Sequence, residues 1–348
     1  MTVPLFATRD QTLLDELLRL AAAAGITPDV AGDGGAVLRG WSAAPLVLIG
    51  PDLADEVARL HPARRPGVHL VVWGGVPDQL FRTAVHLGAE DVTELPRSDG
   101  WLTELLTDLG DPRRGRGTVL GVVGGSGGAG ATTFACALAQ VASRRGPAVV
   151  VDADPLGPGL DRVLGLEGSP GTRWDALCQT TGRLSSRVLR EALPRRGALG
   201  VLTWRAGTSG TLQAFALREA LSAAARGHDT VVLDLPRHPD ALVDEAVARC
   251  DRLLVVVVAS VAGVASAGRL CARLADPSRL RVVVRGTALG ADEVAGATGV
   301  PVVARMADQR GLAEAIDLGL GPVRTRRGPL GRAADEVLTR VSVLGEAA

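Results

Sequence analysis

The sequence predicts an α/β protein made of two consecutive units, each a parallel sheet with helices packed against it. Three observations carry that expectation. Apolar runs of strand length alternate with segments of helical period along most of the chain. The strand runs of the second part, such as Leu253-Leu-Val-Val-Val-Val258, are almost continuously Val and Leu, which means burial on both faces. A length of 348 residues suits two domains, each large enough for its own core.

The first unit is expected over residues 1–109, with strands at 3–6, 45–49, 68–73 and 90–93. Helices are expected near 9–24, 52–60, 77–87 and 100–108. Its closing stretch, Ala84-Val-His-Leu-Gly-Ala-Glu-Asp-Val-Thr-Glu-Leu-Pro96, resembles the end of response-regulator receiver domains, which implies a flavodoxin-like fold. A working receiver accepts phosphate on an aspartate at the end of its third strand. Here that strand ends Val47-Leu-Ile-Gly50, and Asp52 is displaced into the following segment. Leu95 stands where the resemblance implies a lysine, and Gly74 where it implies a hydroxyl. The unit therefore reads as a pseudo-receiver.

Residues 110–117, Gly-Asp-Pro-Arg-Arg-Gly-Arg-Gly, combine Gly, Pro and charge between two periodic regions and read as the linker. The second unit, 118–348, is expected to place strands near 118–123, 148–152, 199–203, 230–234, 253–258, 280–284 and 301–303. Helices between them would cover both faces of a mostly parallel sheet.

The opening of this unit is its most informative part. Residues 118–134 read as a buried strand, a glycine loop and a helix start. The P-loop pattern GxxxxGK[ST] fits from Gly125 to Thr132, except that Ala131 stands in the lysine position. Glycines let successive N–H groups turn toward one anion, and the helix N-terminus adds its dipole. The N–H groups of Gly127, Gly128, Ala129, Gly130, Ala131 and Thr132 would wrap a β-phosphate, with Thr133 beside the α-phosphate. No lysine occurs anywhere in the chain, so none can be supplied from a distance. Two further strands end in acids: Val149-Val-Val-Asp152-Ala-Asp154 and Val231-Val-Leu-Asp234. Carboxylates at the carboxyl ends of parallel strands are placed to hold Mg²⁺ or to orient a water, or else they cap the next helix.

The glycine loop, the run Asp152-Ala-Asp-Pro-Leu-Gly-Pro-Gly-Leu-Asp161 and Asp234-Leu-Pro236 resemble the MinD/ParA group of deviant P-loop ATPases. Pro170-Gly-Thr-Arg-Trp174 and Arg226-Gly-His-Asp229 place the resemblance in its CpaE/TadZ branch, with the actinobacterial septum site-determining members. The resemblance covers roughly 118–345. It implies ATP or ADP with Mg²⁺ as cofactor, dimerisation around the nucleotide, and Thr132, Asp152 and Asp234 at the metal. It also implies Asp154 as the residue orienting the attacking water. The group's signature lysine falls at Ser126, its second lysine at Ala131, and a group asparagine at Gly159. With both lysines missing, weak binding and little or no hydrolysis are expected. Arg285, after the strand at 280–284, falls where the group commonly puts an adenine-contacting asparagine, and is expected to stack on a base, to reach a phosphate from the partner subunit, or to be a rim residue without a ligand.

Composition narrows the setting. Thirty-eight basic and thirty-eight acidic residues leave no global field for nucleic acid or anionic lipid. Cys136, Cys178, Cys250 and Cys271 show no CxxC spacing and read as buried free thiols of a cytoplasmic protein. No signal-peptide pattern is visible, and the uncharged stretch Leu253–Gly268 is shorter than the ~20 apolar residues a spanning helix needs. Leu330, Ala334, Val337, Leu338, Val341 and Leu344 form one face of a terminal helix that lacks basic and aromatic membrane anchors, so docking on the sheet is expected. Three functions remain open: a MinD-like regulator of septum placement, a localisation factor for a Flp/Tad pilus or secretion machine, and an active ParA-like partitioning ATPase. The third would call for loop lysines and a basic surface. The partners expected under the first two are a second copy and proteins of the division or pilus/secretion machinery.

Overall fold

The structure, a computed structural model, describes residues 3–110, 116–178, 184–205, 207, 212–238, 240–274, 276–325 and 327–345. The chain divides into two compact units, Met1–Arg114 and Gly115–Ala348. Most of the linker expected at 110–117 lies outside the described residues.

The first unit runs β1 (Leu5–Ala7), α1 (Gln11–Ala23), β2 (Asp29–Ala31), α2 (Gly34–Trp41), β3 (Val47–Ile49), α3 (Pro51–Arg59), β4 (Val68–Trp73), α4 (Asp78–Leu87), β5 (Asp91–Leu95) and α5 (Asp99–Gly110). Its five strands are all parallel, in the order β2-β1-β3-β4-β5. Two of these elements, β2 and α2, are absent from the sequence-based expectation. β2 is three residues long at the sheet edge, and two of its three side chains are exposed, so it carries no apolar run. α2 begins Gly-Gly, a poor helix start, but Asp33 caps it by accepting from the Ala36 N–H at 2.7 Å.

The second unit is built around β6 (Thr118–Gly124), α6 (Ala131–Ala142), β7 (Ala148–Asp152), α7 (Leu160–Leu164), α8 (Trp174–Leu177), α9 (Ser186–Ala192), β8 (Arg195–Arg196) and β9 (Leu199–Leu202). It continues through α10 (Ala214–Gly227), β10 (Thr230–Leu235), α11 (Ala241–Ala248), β11 (Arg252–Val258), α12 (Val261–Arg273), β12 (Leu280–Arg285), α13 (Ala291–Thr298), β13 (Val302–Met306), α14 (Leu312–Asp317) and α15 (Pro329–Gly345). The strand order is β13-β12-β11-β6-β10-β7-β9-β8, parallel throughout except for the two-residue β8.

Alternation along each strand splits the core into two layers. Val119 and Val123 of β6 join the layer of α10 and α12, while Leu120 and Val122 join that of α6 and α15. Leu330, Ala334, Val337, Leu338 and Val341 of α15 are buried in the second layer; the Leu344 side chain lies outside the described residues. Each fully buried leucine of this kind contributes about 1.5–3 kcal/mol. The terminal helix is therefore a covering helix of the core. Among the described residues, no helix is long and apolar enough to cross a membrane.

β6 is central, with β10 on one side and β11 on the other. The chain leaves β6 toward β7 on one side and leaves β10 toward β11 on the other, so the carboxyl ends of these adjacent strands flank the crevice where open α/β sheets bind ligands.

Candidate functional site

The loop between β6 and α6 takes its shape from two glycines with positive φ. Gly128 has φ 69° and Gly130 has φ 89°, values that side-chain-bearing residues adopt only under strain. The Gly125 N–H donates to Val256 O at 2.9 Å and the Ala129 N–H to Ser126 O at 3.3 Å, pinning the loop to β11 and to itself. Gly130 is the N-cap of α6 and brings no side chain to the first-turn N–H groups. Those groups of Ala131, Thr132 and Thr133 have no acceptor inside the helix, so they and the dipole face the crevice. Ser126 and Ala131, the two positions without lysine, are half-buried.

The acids meet beside this loop. Asp234 of β10 and Asp152 of β7 are register neighbours on adjacent strands, and both are buried. The Thr132 side chain lies near Asp234 and favours its ionised form. Burial, then repulsion from Asp152, pushes the Asp234 carboxyl up to about 8. Burial likewise pushes Asp152 up to about 6, opposed by bonds from the Thr203 hydroxyl at 2.7 Å and the Asp154 N–H at 3.1 Å. Asp154 is half-exposed, and one of its carboxylate oxygens accepts from the Leu156 N–H at 2.9 Å. That bond turns the chain locally, and it occupies one oxygen of the residue expected to orient water.

Two residues outside the sequence-derived set hold Asp152. Trp174 donates Nε1–H to the Asp152 carbonyl at 2.7 Å, and Thr203 bridges the Asp152 carboxylate and the Leu160 N–H at 3.1 Å. Trp174 lay within a recognised motif, and Thr203 follows β9 at the same sheet edge as the aspartates. Buried Cys136 of α6 lies near the acids, and burial, Asp234 and Asp152 push its thiol well above the usual range. It is not a nucleophile.

Arg285 ends β12 and lies against the loop. Its Nε donates to Asp308 Oδ1 at 2.7 Å, and its Nη1 to the carbonyls of Gly128 at 3.3 Å and Ala129 at 3.4 Å. A cavity of about 380 Å³ opens here, lined by Gly130, Thr133, Arg285, Met306 and Leu330 among others. A second, of about 590 Å³, is lined by Gly128, Val258, Thr287 and again Arg285. A larger cleft of about 1080 Å³ lies beyond the Asp154 loop. Its buried Arg173 is paired with Asp161 at 3.0 Å. Among the described residues, no three His, Cys, Asp or Glu converge as a self-sufficient metal site. The donors at the loop are carboxylate and hydroxyl oxygens, which suit Mg²⁺ sharing its sphere with phosphate and water.

In the first unit, Asp52 sits in the first turn of α3 and accepts from the Thr8 hydroxyl at 2.8 Å and the Arg9 N–H at 2.6 Å. At Gly50 an added Cβ would come within 2.5 Å of Asp52 Oδ1 and 2.6 Å of Thr8 Oγ1. Leu95 is buried, and Gly74 follows β4. Incubation with acetyl phosphate is expected to leave this unit unmodified; a labile phosphate on Asp52 by mass spectrometry would contradict that.

Two relatives from Mycobacterium tuberculosis, the uncharacterized proteins Rv3660c (strain ATCC 25618 / H37Rv) and MT3760 (strain CDC 1551 / Oshkosh), are each 36% identical over 342 residues. The alignment covers 94% of this chain and 95% of each relative. The chain belongs to the Rv3660c-like family. A profile described as the Rv3660c-like, CheY-like N-terminal domain matches residues 7–117 of this family member. Its second unit has the fold of MinD/ParA P-loop ATPases. MinD from Aquifex aeolicus superposes with TM-score 0.54 at 19% identity, covering 65% of this chain and 97% of that one. A ParA family ATPase from Chlorobium tepidum gives 0.53 at 19%, covering 64% and 98%. MinD from Pyrococcus horikoshii, in complex with Mg-ADP, gives 0.54 at 16%, covering 66% and 97%.

Proposed function

We propose that the chain is a regulator of septum placement of the CpaE-like kind, in which ATP or ADP with Mg²⁺ acts as a conformational ligand and is turned over slowly or not at all. One observation carries the reading. Two buried carboxylates and a threonine hydroxyl flank an uncapped glycine loop, and among the described residues no basic side chain neutralises them. Such a site calls for an added cation and an anion together. Thr132, Asp152 and Asp234 would hold Mg²⁺, which supplies charge neutralisation for the phosphates. The N–H groups of Gly127, Gly128 and Gly130 to Thr133 would take the phosphates, that of Ala129 being held by Ser126 O, and Arg285 borders both neighbouring cavities. One missing charge-assisted contact weakens binding by about 10–150-fold, and more in a transition state where γ-phosphate charge moves.

A homodimer would lack the cross-subunit lysine bond, because Ser126 offers only a short hydroxyl. It would rest on apolar surface, of which Leu156 and Val261 are strongly exposed examples. Titration of the full chain with ATP-Mg²⁺ and ADP-Mg²⁺ is expected to show weak binding without appreciable phosphate release. Sedimentation is expected to show the same oligomer with and without ATP. Turnover abolished by Asp154→Ala, or a tight dimer formed only with ATP, would overturn this reading.

A further inference from the structure

We propose that Arg285 is the phosphate-site cation of this chain, kept in reserve by Asp308; the inference rests on the nucleotide-binding reading above. The chain has no lysine, and among the described residues Arg285 is the basic residue whose guanidinium hydrogen-bonds to the loop itself, through Gly128 O and Ala129 O. The Ala129 carbonyl points away from the Gly130 N–H, one of those free to take an anion, because the C=O and N–H of a trans peptide face opposite ways. Arg285 thus rests on the outer side of the cradle.

The resting contacts are weak. Distances of 3.3 and 3.4 Å are beyond the usual N–H···O range. The ion pair to Asp308 is short at 2.7 Å, but its side chains are 37% and 74% exposed. A pair this exposed holds its partner by no more than about fivefold in equilibrium. A charge-assisted bond to phosphate is worth about tenfold or more. A bound polyphosphate therefore outcompetes Asp308 for the guanidinium. The backbone of Arg285 is fixed by β12, which pairs with β11 and β13, so only the side chain has to turn. Its position on the wall shared by the two cavities leaves it room to do so. Asp308, which the sequence reading did not single out, is by this account a residue that sets affinity without touching nucleotide.

The test is titration of the full-length protein with ATP-Mg²⁺, ADP-Mg²⁺ and AMP, for the wild type, Arg285→Ala, Arg285→Lys and Asp308→Asn. Arg285→Ala is expected to lose about tenfold in ATP affinity with AMP nearly unchanged, and Arg285→Lys to recover most of it. Asp308→Asn is expected to gain about threefold for ATP. Arg285→Ala that leaves ATP binding unchanged or tighter overturns the proposal, as does equal weakening of ATP and AMP, which marks a merely structural side chain. Asp308→Asn without gain overturns the reserve role. A wild type that binds none of the three overturns the nucleotide reading as well, whereas binding that ignores Arg285 removes this inference alone.

Discussion

Asp234→Asn is expected to stabilise the nucleotide-free protein above pH 7 and to abolish Mg²⁺-dependent nucleotide binding. Asp234 is buried next to Asp152, and its carboxyl is pushed up to about 8 from an ordinary value of 3.8. A carboxyl raised on folding binds its proton in the native state where the unfolded chain has released it. The stability it contributes is full below about pH 4 and is lost as pH rises through 8. The loss is on the order of a few kcal/mol, shared with Asp152 because the two titrate as a pair. An asparagine cannot ionise, so the variant should lack most of this decline while also lacking the charge that attracts Mg²⁺. Thermal unfolding of both proteins from pH 5 to 9 reads the first effect; equal slopes would refute it. Binding of Mg²⁺-nucleotide by the wild type should tighten from pH 6 to 8, since Asp234 must release its proton first.

Ala131→Lys should raise ATP affinity by about 10–150-fold, the worth of a charge-assisted contact regained. Position 131 opens α6 next to the loop, and its side chain is partly exposed. Thr132, Asp152 and Asp234 are already in place around it. Titration with ATP-Mg²⁺ decides the matter. An unchanged affinity would mean that the loop does not seat phosphate as its backbone suggests.

Much of this was legible in the sequence because it rests on local signals. The strand ending at Gly124, the glycine loop and the acids closing β7 and β10 are contiguous patterns, and a buried parallel strand announces itself by an unbroken Val/Leu run. β2 and β8 were not legible, being too short to carry any period. The partners of site residues were also hidden. Thr203 meets Asp152 across 51 positions, and Asp308 meets Arg285 across 23, through loops whose approach only the assembled sheet defines. Arg285 itself was read from its strand end, but its contacts with the loop carbonyls carry no sequence signature.

The place of β10 has a consequence for synthesis on the ribosome. β7 follows β6 in the chain, yet the two never touch; residues 230–235 fill the slot between them. A nascent chain that has reached β9 therefore holds β6 alone on one side and β7, β9 and β8 on the other, with nothing to join them. Asp152 waits for Asp234, made 82 positions later, before the acid pair exists. Closing a gap of this separation is slow, and its edges stay open to mispairing meanwhile. Truncation short of Thr230 removes β10 together with β11, β12 and β13, and leaves no smaller working unit.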